Sequence, residues 1–202
     1  MTKKEIIWRE ILFQVAENKK IEFTQKELAQ KYSFSLSTVF NALKILRKSG
    51  VVEVKGRGFK IQDIEKFLYI WATFRNLKKD IIYQTNVSKT VQEIEGEIIP
   101  EVIFGAFSAF VKKYKETPAD YDKVYIYAKK DQIKEIQNRF PFKKGYPNLI
   151  ILAVDPWLKN PAFSFGKGGV TPDCQIFVDL MNLSEWYAKD FLNALKEKIL
   201  KQ

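Results

Sequence analysis

The chain has 202 residues, 46% of them hydrophobic, and 34 Lys and Arg against 24 Asp and Glu give a formal net charge of +10. One cysteine, Cys174, excludes an internal disulfide, and the lack of histidine excludes a Ser-His-Asp triad, a Cys-His nucleophile and a Cys/His zinc site. No apolar run reaches the roughly 18 residues of a membrane span, and residues 1–5 lead straight into an amphipathic pattern without a leader-like apolar stretch; a cytoplasmic protein with no membrane partner is expected.

Residues 5–18 are predicted to be a helix, with Ile6, Trp8, Ile11, Leu12 and Val15 supplying most of one apolar face. Thr24 opens a capping box: its hydroxyl accepts from the Glu27 amide, and the Glu27 side chain reaches back. A short helix over 25–31 follows. Tyr32, Ser33 and Phe34 make a turn, and Ser35 is a second N-cap candidate. The next helix runs from about Leu36 to Lys48, and Gly50 readily takes the left-handed conformation that ends it. At about 100° per residue, Leu36, Val39, Phe40, Leu43 and Leu46 share an arc that must face a small core. Ser37, Thr38, Asn41, Lys44, Ile45 and Lys48 occupy the opposite arc. Two cations, three short hydrogen-bonding side chains and one apolar group suit a DNA major groove. A merely solvated helix face is the competing reading.

Residues 51–55 and 59–62 alternate with strand period, joined by Gly56-Arg57-Gly58, whose glycines permit positive φ in a tight turn. Arg57 at the tip, flanked by Lys55 and Lys60, would reach phosphates or an adjacent minor groove; basic hairpin tips also serve solubility alone. Helix, turn, helix, glycine and basic hairpin, in that order, describe a winged helix-turn-helix over residues 1–62, its three-helix core completed by the first helix. Ser37, Thr38, Asn41 and Lys44 are the expected base readers. Lys48, Lys55, Arg57 and Lys60 are the expected phosphate contacts. Residues 1–80 hold 17 basic and 9 acidic side chains and the remainder 17 and 15, so the excess lies on the first part. Any polyanion would feel that excess.

Residues 63–80 are read as a connector built on an aromatic-rich helix over 64–79 (Phe67, Tyr69, Trp71, Phe74), packed between modules or pairing two subunits. The pattern then becomes mixed. Strands are expected over 81–83, 123–128, 148–154 and 175–180, the third buried by its continuous apolar run. Helices are expected over 88–96 with Ser88 as cap, over 102–114 with Gly105 and Ala106 allowing close approach, over 131–138, and from 183 or 184 to 200. The fold class is therefore α+β: an N-terminal winged helix-turn-helix, then over 81–202 a small mixed α/β domain of about four strands for dimerisation, partner contact or sensing.

Three stretches carry a family likeness: residues 118–127 (PADYDKVYIY), 170–183 (VTPDCQIFVDLMNL) and 186–191 (WYAKDF). With them nearly the whole chain resembles a family of archaeal and bacterial winged-helix proteins akin to the AbiEi-type antitoxin-regulators of type IV abortive-infection systems. The resemblance implies DNA-binding regulation and, in the antitoxins, repression of their own operon. Double-stranded DNA is the expected partner; a homodimer and a toxin are further ones.

Residues 104–108 (FGAFS) and the strand after Asp122 bear a weaker likeness to the nucleotidyltransferase fold. Its active members pair a Gly-Ser element with an Asp-x-Asp on the next strand to hold two metal ions and a triphosphate. Here Ala106 stands where serine is expected. Asp120 and Asp122 precede the strand that carries Tyr125 and Tyr127, and acids after Pro118-Ala119 are ordinary turn residues. A third carboxylate would have to come from Asp155, Asp173 or Asp179. A degenerate, silent version is expected, without catalytic residues, metal or cofactor. Asp179, set in an apolar stretch, needs buried partners. Residues 164–169 are glycine-rich with Lys167 and could cradle a phosphate, but they lack the Walker pattern and are followed by Pro172 and an expected strand instead of a helix, so a flexible connection is the preferred reading. That loop and the Asp155-Pro156-Trp157 turn are where a sensed ligand would sit. The function expected is a sequence-specific DNA-binding transcriptional regulator, not an enzyme. Its rivals are an antitoxin acting mainly by toxin contact and a nucleotidyltransferase-like enzyme.

Overall fold

The structure, a computed structural model, describes residues 1–159, 161–165 and 168–200. It is a mixed α+β protein that divides into two compact units, Met1–Arg75 and Asn76–Gln202.

The first unit contains α1 (Lys3–Asn18), β1 (Glu22–Thr24), α2 (Gln25–Tyr32), α3 (Leu36–Lys48), β2 (Val52–Lys55), β3 (Gly58–Ile61) and α4 (Ile64–Phe74). Its strands form an antiparallel sheet in the order β1-β3-β2. A reciprocal capping box starts α1: the Glu5 amide donates to the Thr2 hydroxyl at 3.3 Å, and the Thr2 amide donates to the Glu5 carboxylate at 2.9 Å. The five expected apolar residues of α1 are buried, but so are Ile7, Arg9 and Glu10. The helix therefore runs through the middle of the unit instead of along its surface. Trp8 is its anchor. The fully buried indole donates to the Ala42 carbonyl of α3 at 2.8 Å and meets Phe67 and Phe74 of α4 edge-on at 5.9 and 5.5 Å. Glu10 supplies the polar tie, accepting from the Tyr32 hydroxyl and the Lys31 ammonium, each at 2.5 Å. Hydrogen bonds to a charged group are worth about 1.5–3 kcal/mol. Phe67, Leu68 and the fully buried Trp71 place α4 in the first unit's core; the helix predicted to reach 79 ends at Phe74, and a 3-10 turn at Leu77–Asp80 follows.

The second unit contains β4 (Ile81–Thr85), α5 (Val91–Glu97), β5 (Ile103–Gly105), α6 (Ala106–Tyr114), β6 (Val124–Ala128), α7 (Ile133–Arg139), β7 (Leu149–Ala153), β8 (Phe163–Phe165), β9 (Gly168–Val170), α8 (Asp173–Met181) and α9 (Ala188–Leu200). One sheet has the order β4-β7-β6-β5-β9-β8; β6–β7 and β5–β9 are parallel and the other pairs antiparallel. All five residues of β6 are buried, so helices and loops cover both faces there. Phe191 of α9 lies 5.0 and 5.4 Å from Phe107 and Phe110 of α6, edge-on in both cases. Trp186, just before α9, stays 76% exposed.

Several expectations change here. Residues 175–180 are not a strand but part of α8, and every residue from Asp173 to Leu180 is buried. Complete burial removes the polar face that marks a helix, and a short apolar run then reads equally as a strand. Residues 103–105 are β5 rather than the first turn of a helix; Ala106, at φ 46°, makes the sharp passage into α6. Added to Gly105, a Cβ would stand 2.9 Å from the Tyr127 ring, so the close approach expected there is real. Thr90, not Ser88, caps α5, and the last helix begins at Ala188. The three-residue strands β8 and β9 raise the sheet to six strands rather than about four. Asp179 finds its partners: it accepts from the Tyr127 hydroxyl at 2.5 Å and from the Gln175 amide at 3.0 Å. No helix among the described residues is long and apolar enough to cross a membrane.

Candidate nucleic-acid interface

The cap of α2 is half of what the sequence suggests. Thr24 accepts from the Glu27 amide at 3.1 Å, but the Glu27 carboxylate turns to Lys20 at 2.8 Å. Ser33, at φ 53°, closes the turn before α3. Ser35 caps α3 and Gly50, at φ 75°, follows its end, both as expected. The buried stripe of α3 is Val39, Ala42, Leu43 and Leu46. Leu36 and Phe40, expected in the core, are 56% and 47% exposed. The stripe is narrower than the predicted arc because Leu36 is the helix's first residue and Phe40 sits at the stripe's edge. There the Arg47 guanidinium covers the Phe40 ring at 4.8 Å.

On the other side of α3, Ser37, Asn41, Lys44 and Lys48 are exposed and Thr38 is half-buried. The Ser35 hydroxyl accepts from the Thr38 amide at 3.2 Å and lies 2.9 Å from both the Ser37 and Thr38 hydroxyls. Those two hydroxyls are thus held in the cap, each with acceptor capacity left. Lys44 and Lys48 make no ion pair with a described residue. No acid stands in the first turn of α3, so the positive end of its dipole is uncompensated.

In the hairpin, Lys55 faces Gly58, which leaves a two-residue turn of Gly56 and Arg57. Gly56 takes φ 53°. Gly58 is required for a different reason than the turn: a Cβ there would stand 2.7 Å from the Phe23 carbonyl of β1. Arg57 is exposed at the tip. Lys55 lies 3.5 Å from Glu53. Lys60 is half-buried in the central strand, with Glu22 on one side in register and Glu53 on the other. The eight expected contacts therefore sort into clear cations (Lys44, Lys48, Arg57), cations beside carboxylates (Lys55, Lys60) and polar residues on α3 (Ser37, Thr38, Asn41). β1, which brings Glu22 beside Lys60, was not expected from sequence.

In the second unit, Asp120 and Asp122 precede β6, and Asp122 accepts from the Tyr187 hydroxyl at 2.5 Å. Burial, reinforced by Asp122, pushes the Tyr187 hydroxyl far above its ordinary range. Burial and the Glu185 carboxylate do the same to Tyr125, and burial and Glu95 to Tyr121. Burial opposes the charge on Lys123, but its interactions with Glu185 and Tyr146 together outweigh that and hold the ammonium above its ordinary value. Gly166 and Lys167 of the glycine-rich loop lie outside the described residues. No family model, no curated protein and no solved structure matches the chain.

Proposed function

We propose that the first unit is a winged helix-turn-helix and that the chain is a sequence-specific double-stranded DNA-binding transcriptional regulator. The observation that supports this reading most is the exposed face of α3: among the described residues Asn41, Lys44 and Lys48 have no carboxylate partner, on a helix whose opposite stripe is buried. In this reading Ser37, Thr38, Asn41 and Lys44 meet base edges, while Lys48 and Arg57 hold phosphates. Lys55 and Lys60 contribute less, because Glu53 and Glu22 already offset them. The two clear phosphate contacts, Lys48 and Arg57, correspond to a log–log salt slope of about −1.8 per protomer.

The likeness to AbiEi-type antitoxin-regulators supports the same reading and adds a second: residues 76–202 contact a second copy of the chain or a toxin. The test is selection of genomic fragments at near-physiological salt, with a Lys44→Ala/Arg57→Ala variant alongside. Enrichment of one motif by the parent alone is the expected result, and a two-fold repeat within it would mean a dimer. Equal recovery of all sequences by both proteins would reduce the basic face to nonspecific adhesion and end the regulator reading.

A further inference from the structure

The parallel strands β6 and β7 end side by side at Ala128 and Ala153, and a cleft of about 320 Å³ opens beyond them. The carboxyl ends of neighbouring parallel strands are where α/β sheets gather ligands, because the departing loops leave a crevice. Lys129 and Lys130 follow β6, Asp155 and Pro156 follow β7, and Lys159 and Glu101 complete the rim. An adjoining cleft of about 440 Å³ shares Glu101 and Lys159 and extends to Gly168 and Gly169 of β9. Asp155 and Pro156 of one stretch that stands out in the sequence and Ser164, Gly168 and Gly169 of another thus border one region.

Two features of this region point to a ligand. Lys89, Lys112, Lys113, Lys123, Arg139 and Lys198 are all in ion pairs. By contrast, Lys129, Lys130 and Lys159 pair with no described residue, although Glu101 lines the same cleft. Three ammonium groups against the Glu101 and Asp155 carboxylates leave the mouth with a net positive charge over low-dielectric walls. Glu101 itself is held at φ 62°, a conformation that side-chain-bearing residues rarely adopt and that collects at ligand clamps. Gly168 also lines the second cleft, and it must be glycine because β9 lies close on β5: a Cβ there would stand 2.4 Å from the Val102 carbonyl.

We propose that this cleft binds a small phosphorylated molecule of the sugar-phosphate or mononucleotide class. The lysines hold the phosphate as compact charges that need no fixed fork geometry. Glu101 accepts from hydroxyl or amino groups of the ligand's body, and Ile103 and Val154 receive its apolar edge. A volume near 320 Å³ is at the small end of ligand sites, which fits nothing larger than a mononucleotide. The proposal stands apart from the DNA reading, and either can fail alone.

Isothermal titration of the full chain with AMP, ribose 5-phosphate, inorganic phosphate and adenosine tests it. AMP or ribose 5-phosphate should bind, with adenosine and inorganic phosphate at least about tenfold weaker. Equal affinity for AMP and ribose 5-phosphate would assign the site to sugar phosphates, and a preference for AMP to nucleotides. Lys129→Ala/Lys159→Ala should weaken binding at least about tenfold, while Lys189→Ala on α9 should not. All these lysines are exposed, so the variants should fold, as circular dichroism would check. No heat with AMP and ribose 5-phosphate, inorganic phosphate as tight as either, or indifference to the double substitution would each overturn the proposal.

Discussion

In residues 1–75, with 15 basic and 8 acidic side chains, Lys44, Lys48 and Arg57 stand unpaired on a helix face and a hairpin tip. In residues 76–202, with 19 basic and 16 acidic, Lys112, Lys113 and Lys123 are drawn against carboxylates in largely buried pairs, and the Tyr127–Asp179–Gln175 cluster is sealed inside. Charge left on a surface is available to a polyanion and is screened by salt. Charge and polarity taken inside cannot be offered to a partner; they fix which packing the chain adopts, because each buried group tolerates few arrangements. The same residue types thus stay exposed in one unit and fix the packing in the other.

The largest expected effect would come from Trp8→Ala. It removes the buried indole and the bond to Ala42, costing about 3–5 kcal/mol. Urea unfolding should show the first unit's transition lost while that of residues 76–202 remains; loss of both would break the division into units. Tyr127→Phe should destabilise the second unit by about 1–3 kcal/mol, because Asp179 loses a buried donor, and leave DNA affinity unchanged. Asn41→Ala should relax base preference by about 1–3 kcal/mol, whereas Arg57→Ala should weaken all sequences alike and lower the salt slope by about one. If neither moved in a gel-shift titration, the assigned face would be wrong. A pH effect should fall on the second unit. Tyr125 and Tyr187 ionise above their ordinary 10.0, and Lys123 deprotonates above its ordinary 10.5. The stability they lend is fully present below those values and is progressively lost as pH rises from them towards the raised folded-state values. The melting temperature of residues 76–202 should therefore hold up to about pH 10 and fall as the pH rises further. Least of all, Leu36→Ser should change stability by no more than about 0.5 kcal/mol, since that side chain is already in water.

Local chemistry explains what could be read in advance. The Ser35 cap, Gly50, the hairpin and the strands at β6 and β7 depend on residues within one or two turns of each other, and all four appear where the sequence puts them. What escaped is set by distant neighbours. The helix α8 was hidden because the surrounding protein buries all its sides. The strands β1, β8 and β9 are three residues each, too short for a period. Missing β1 also concealed that Lys60 lies between Glu22 and Glu53. The candidate DNA contacts on α3 were legible for the same local reason as the helix itself, while the cleft beyond β6 and β7 depends on residues far apart in the chain.

The placement of tryptophan has an optical consequence. Trp8 and Trp71 are wholly buried in residues 1–75, whereas Trp186 of residues 76–202 is 76% exposed. Emission from the first pair should lie to the blue and resist acrylamide, and emission from Trp186 should lie to the red and quench readily. Trp157, half-buried in the second unit, adds emission between the two, and replacing it with phenylalanine would leave the chain a two-colour label of its own, so that the fate of its two parts could be followed separately in one cuvette without attaching a dye.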